Sequence, residues 1–312
     1  MQSPTFDRRA HPPGATFDTW RASDGFPIRR MDWPQPAGRA ARGSILFCGG
    51  RGDFIEKYLE PLAHWHAAGW DVTSFDWRSQ GESRGDIKGG HLDSFDPLLE
   101  DGAALLKDWM ERAPGPHVGV GHSMGGHLLL RTLADERPPL AAAVLVAPMI
   151  GINSLPLPSS FSQAMAQTLC MIGLNRVPAW RQSLKPDPEG STRQSFLTSC
   201  RERYSDELWW LERQPGFALG APSWGWLNAA YTSMAKLTEE KLRSVETPVL
   251  LLGAERDRLV SASAIRWAAG LLPKAELAMY PDAAHELLRE AEPLRSEMMA
   301  RIDAFLGTHA DA

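Results

Sequence analysis

Apolar positions along this chain fall into two rhythms. Residues 15–21 and 26–33 are strand-length stretches on either side of Asp24-Gly25, a pair that favours a tight turn, so the spacing predicts an antiparallel hairpin. Further on, short apolar runs at 44–48, 70–75, 116–120, 141–147, 248–253 and 275–280 read as buried strands. Between them, 54–68, 95–112, the stretch from Gly125, 262–271 and 293–306 space their apolar residues as helices do. Strand and helix in repeated alternation predict an α/β fold, a mostly parallel sheet with helices on both faces.

The rhythm stops after Pro148. Up to about residue 240 the chain shows no strand-like run, only short helical patches broken by prolines. The expected organisation is therefore a flexible tail at 1–14, a first core part at 15–148, a helical cap at 149–240 and a second core part at 241–312. Such an insertion follows a strand's C-terminal end, where open α/β sheets bind their ligands.

Composition narrows the function. With 312 residues, a net charge of −5 and no run of Lys or Arg, nucleic acid is not an expected partner. The first residues lack an apolar core and a cleavage pattern, and no stretch approaches the length of a membrane span, so a cytoplasmic protein is expected. Cys48, Cys170 and Cys200 lie far apart and form no CxxC pair, so neither a disulfide framework nor a metal site is expected. Oligomeric state is not legible.

Candidate chemistry begins at Gly121-His122-Ser123-Met124-Gly125-Gly126, between a predicted strand and a predicted helix. A serine on a sharp strand-to-helix turn, with glycines two residues away on each side, is the arrangement of a nucleophile elbow. Its hydroxyl needs a base, and the base an orienting acid, in the chain order Ser, acid, His. His127, His285 and His309 follow Ser123; His127 lies on the same helix and His309 in the terminal tail, which leaves His285. The acid belongs after the 248–253 strand, where Asp257 is the first choice and Glu255 competes, while Asp282 reads as a turn residue. Oxyanion donors are expected from the backbone N–H of Met124 and, within Gly49-Gly50-Arg51-Gly52, that of Arg51. No metal or organic cofactor is needed. Expected substrate contacts are Gly50 and His122 beside the serine, and Met149, Trp224 and Trp226 around the insertion.

Taken together, these stretches resemble the monoacylglycerol lipase and lysophospholipase branch of the α/β-hydrolases, the serine aminopeptidase S33-type or hydrolase_4 proteins, over about residues 19–306. The Gly121–Gly126 elbow matches the branch outright; Gly49–Tyr58 is similar to its oxyanion loop, Asp76–Gly85 to its D-x-R-G-x-G-x-S stretch, and His91–Phe95 to its H-V-x-S-F. Two departures stand out: Cys48-Gly49-Gly50 lacks the His-Gly of many lipases, and Ser79 replaces a glycine. The resemblance implies an α/β-hydrolase fold and a serine hydrolase acting on monoacyl lipid esters. Its rivals are a small-ester esterase, thioesterase or peptidase on the same triad, and a catalytically silent ligand-binding protein. Trp180, Trp209, Trp210, Phe161, Met165, Met171 and Phe217 in the insertion would either line an acyl tunnel or pack the helices, and the same surface could dock transiently on a bilayer or micelle.

Overall fold

The computed structural model describes residues 6–85, 90–154, 158–180 and 187–310. Eight strands form one sheet in the order β1-β2-β4-β3-β5-β6-β7-β8. β1 (Thr16–Arg21) and β2 (Pro27–Trp33) make the expected antiparallel hairpin, and β2 also pairs antiparallel with β4 (Asp71–Phe75). From β4 on, β3 (Ser44–Cys48), β5 (His117–His122), β6 (Ala142–Val146), β7 (Val249–Ala254) and β8 (Ala275–Tyr280) run parallel. Every residue of β3, β6 and β7 is buried, which explains why these strands read as unbroken apolar runs rather than alternations: helices cover both faces. This is the α/β-hydrolase fold.

The covering helices are α1 (Leu59–Ala67), α2 (Asp96–Arg112), α3 (Ser123–Asp135), α9 (Ala262–Ala269) and α10 (Leu294–His309). In α2, Leu98, Leu105 and Trp109 fall on one buried stripe, with Leu106 and Asp101 buried beside it. Between β6 and β7 the chain forms α4 (Ser159–Met171), α5 (Thr192–Leu197), α6 (Arg201–Arg213), α7 (Trp224–Ala235) and α8 (Glu239–Arg243). Residues 149–153 stay bonded to the sheet region, with Met149 N donating to Ser123 O at 2.9 Å and Asn153 N to Leu259 O at 2.9 Å.

The N-terminal stretch differs from expectation. Residues 1–5 lie outside the described residues, but residues 6–14 are tied down rather than loose. Arg8 and Arg9 pair with Asp206 on α6, the Trp210 indole N–H donates to Arg8 O at 3.0 Å, and His11 Nε2 meets buried Glu56 at 2.9 Å. Pro12-Pro13-Gly14 disguises this, because the partners are distant in sequence, Glu56 by 45 residues and Asp206 and Trp210 by about two hundred. Among the described residues, no helix is long and apolar enough to cross a membrane.

Candidate active site

Parallel strands bring their C-terminal ends to one edge, where the loops leaving β3, β7 and β8 carry Gly49–Asp53, Asp257 and His285 and the end of β5 carries Ser123. β5 passes into α3 without an intervening loop, and Ser123 takes the strained left-handed backbone at φ +50°. The flanking glycines permit that turn. A Cβ on Gly121 would lie 2.7 Å from Gly126 Cα, and one on Gly125 would lie 2.2 Å from Cys48 O.

The three side chains expected to act together are in line. Ser123 Oγ lies 2.9 Å from His285 Nε2, and His285 Nδ1 lies 2.7 Å from Asp257 Oδ2. Asp257 Oδ1 accepts from Leu259 N at 2.7 Å and Val260 N at 3.0 Å, so the loop backbone locks the carboxylate. Burial disfavours the Asp257 charge, but His285 and those two amides outweigh it and hold the carboxyl below its ordinary value. Burial likewise opposes charge on His285, yet Asp257 and the nearby Glu286 and Asp53 raise its pKa above the usual histidine value. Glu255 pairs instead with Arg266 on α9, and Asp282 is exposed. His127 is bonded to Ser233 on α7 at 2.8 Å and pushed down to about 3 by burial and Arg131, which leaves it no part beside Ser123.

On the other side of Ser123, Met124 sits in the first turn of α3, whose N–H groups have no acceptor within the helix. Arg51 lies on the cavity wall, its guanidinium donating to Gly220 O at 3.0 Å and stacked over Trp226; burial lowers its pKa to about 9. Gly50 lies beside Ser123 and His122. Its N–H donates to Asp53 Oδ2 at 2.6 Å, and a Cβ there would lie 3.0 Å from Ser123 Cβ, so it shapes the loop beside the serine. His122 reaches the wall, with Nδ1 2.8 Å from Asp53 and 2.9 Å from Tyr58 Oη.

The cavity over Ser123 has a volume of about 810 Å³. Met149, Met165, Trp180, Phe217, Trp224 and Trp226 line it together with Ser123 and His285. Trp209 and Trp210 do not: the first packs under Arg213, the second stacks on His11. One wall is ionic and was not foreseen. Lys57 Nζ meets Asp53 at 2.8 Å and Glu286 at 2.5 Å, and Glu207 on α6 pairs with Arg193 at 2.7 Å and Arg289 at 2.8 Å, all in near-complete burial apart from Arg193. In the sequence these are ordinary helix-surface charges; only the packing of α6 on the core assembles them. No cluster of metal-ligating side chains occurs among the described residues.

Residues 39–292 match the family model described as serine aminopeptidase, S33 (Hydrolase_4). The chain belongs to this hydrolase family. Among S33 relatives, the lysophospholipase L2 of Escherichia coli is 29% identical over 290 residues, covering 85% of this chain and 80% of its own. A probable lysophospholipase L2 of Haemophilus influenzae is 26% identical over 278 residues, covering 87% and 86% respectively. A soluble variant of the Saccharomyces cerevisiae monoglyceride lipase superposes with a TM-score of 0.73 over 98% of this chain and all of its own, at 18% identity, a likeness of fold.

Proposed function

We propose that this S33-family hydrolase is a serine esterase of monoacyl lipids, of the lysophospholipid or monoacylglycerol type, and that α4–α7 form a cap over its site. The observation that carries the reading is the Ser123–His285–Asp257 chain of hydrogen bonds opening into a cavity walled by methionine and tryptophan. Ser123 Oγ attacks the acyl carbon while His285 Nε2 takes its proton. The N–H groups of Met124 and Arg51 hold the oxyanion. The tetrahedral intermediate collapses, His285 protonates the leaving alcohol, and a water deprotonated by His285 then releases the acid. The lysophospholipase relatives favour a lipid substrate.

Initial rates across esters from short to long acyl chains, with a lysophospholipid and a monoacylglycerol included, test the reading. A Ser123-dependent maximum at long single chains is expected; a maximum at short chains would move the assignment to a small-ester esterase.

The pH profile follows from the shift on His285. The base must be neutral, and its pKa lies above the ordinary value of about 6.5, so kcat/KM should still be rising with pH at neutrality. The same raised pKa stabilises the fold fully below about pH 6.5, a contribution lost as pH rises through the folded-state value. An acid limb centred well below pH 6 would contradict the assignment.

The cap also carries the apolar contact surface proposed for lipid aggregates. Met171 is 80% exposed and Ile172 66%, adjacent at the C-terminal end of α4, and Phe161, in its first turn, is 54% exposed. Met171→Glu/Ile172→Glu is expected to lower the rate on micellar substrate about tenfold, the order of effect of losing a few exposed apolar contacts with lipid. Hydrolysis of a soluble short ester should be unchanged. Equal rates on micelles for both forms would remove this surface from the proposal.

A further inference from the structure

The loop that carries His285 does not hang from β8 alone. Helix α5 ends at Leu197, and the carbonyls of its last two residues, beyond the reach of any helical amide, are taken by that loop. His285 N donates to Phe196 O at 3.2 Å, and Glu286 N donates to Leu197 O at 2.7 Å. The next residue, Thr198, donates through its hydroxyl to Arg289 O at 2.7 Å. Glu290 closes the arrangement: Oε1 accepts from Ala284 N, the residue before His285, at 2.7 Å, and Oε2 accepts from Ser199 N at 3.0 Å and from the Ser199 hydroxyl. Thr198 and Glu290 are fully buried. Arg203 on α6 donates to Glu290 O at 2.6 Å and pairs with Glu60 on α1 at 2.6 Å, so the turn is itself anchored to the core.

We infer that the turn between α5 and α6, through Thr198, Ser199 and Glu290, is a positioning element for His285. This rests on the reading of His285 as the base. Asp257 fixes the rotation of the ring, but the height and tilt of the loop over Ser123 are set by cap residues. The cap is thus divided: its α5–α6 part belongs to the frame that holds the base, whereas α4 buries only Ala166 and packs on α7.

The double variant Thr198→Val/Ser199→Ala removes both hydroxyl donors; valine matches threonine in shape, and Ser199 is exposed. Expected are a ten- to hundredfold fall in kcat, a KM within about twofold of the parent, and broadening of the downfield proton resonance of the His285–Asp257 hydrogen bond, since misplacement by about 1 Å costs up to about 10² in rate. Thr198→Ser/Ser199→Thr, which keeps both hydroxyls, should restore kcat and resonance. A folded double variant with unchanged kcat and resonance overturns the inference, and so does a hydroxyl-preserving variant as impaired as the double. If the double variant fails to fold, Ser199→Ala alone, with the same kcat and resonance readouts, decides. Fluorophosphonate labelling of the parent protein separates the two levels: an unlabelled Ser123 sinks the reading of the site, whereas a labelled Ser123 with unaffected variants sinks only the positioning role.

Discussion

Ser123→Ala is expected to lower turnover of the preferred ester by about 10⁶-fold, and Asp257→Asn by about 10³ to 10⁴-fold, with both proteins melting within about 3 °C of the parent. Alanine suffers the same left-handed backbone as serine at φ +50°, so the elbow is not relaxed and the loss is chemical. The asparagine argument is more specific. Two backbone N–H groups face Oδ1 of residue 257 and require an acceptor there, so the asparagine oxygen is drawn to them and its NH₂ is turned towards His285. The ring must then carry its proton on Nε2, which can no longer accept from Ser123. Steady-state kinetics beside thermal melts check both; an unchanged rate in Asp257→Asn would end its assignment as the orienting acid.

Gly125→Ala carries the largest expected effect on stability, at least about 3 kcal/mol, a large share of the ordinary 5–15 kcal/mol of a folded domain. Its Cβ would lie 2.2 Å from Cys48 O and 2.3 Å from Gly49 O. Both are backbone atoms at the end of a central strand, so no side chain can swing away to make room. Gly25→Ala in the β1–β2 turn provides the comparison: nothing lies within 4 Å of the new carbon, and only the positive φ of +82° is strained, at about 1–2 kcal/mol. Urea denaturation of the two variants should separate them clearly. Equal midpoints would mean that α3 can move off β3 at little cost.

Much of this was legible in the residues because it is local. Asp24-Gly25 marks the hairpin, the all-buried strands read as apolar runs, and the glycines around Ser123 declare the turn before any fold is known. Chain order then leads to His285 without tertiary information. Sequence favours Asp257 but leaves Glu255, two residues away in the same loop, as a competitor; in the fold Arg266 claims Glu255, whereas Asp257 bonds His285 and its own loop's amides. The ionic wall and the fastening of the His285 loop were invisible for a similar reason. Lys57, Glu207, Thr198 and Glu290 look like solvated or loop residues until α5 and α6 are folded onto the core. The N-terminal stretch has the local composition of a loose terminus, whereas its partners are Asp206 and Trp210 on α6 and the buried Glu56 just before α1.

The unequal anchoring of the cap bears on how such a chain can diversify. On the proposed reading, substitutions in α4 and the residues just after it would alter what enters the cavity while leaving His285 where it is, so drift there would change selectivity at little catalytic cost. Changes around Thr198 and Glu290 are felt by every substrate alike. A library confined to residues 159–180 should therefore yield altered acyl preference far more often than inactive protein, and one confined to residues 196–203 the reverse.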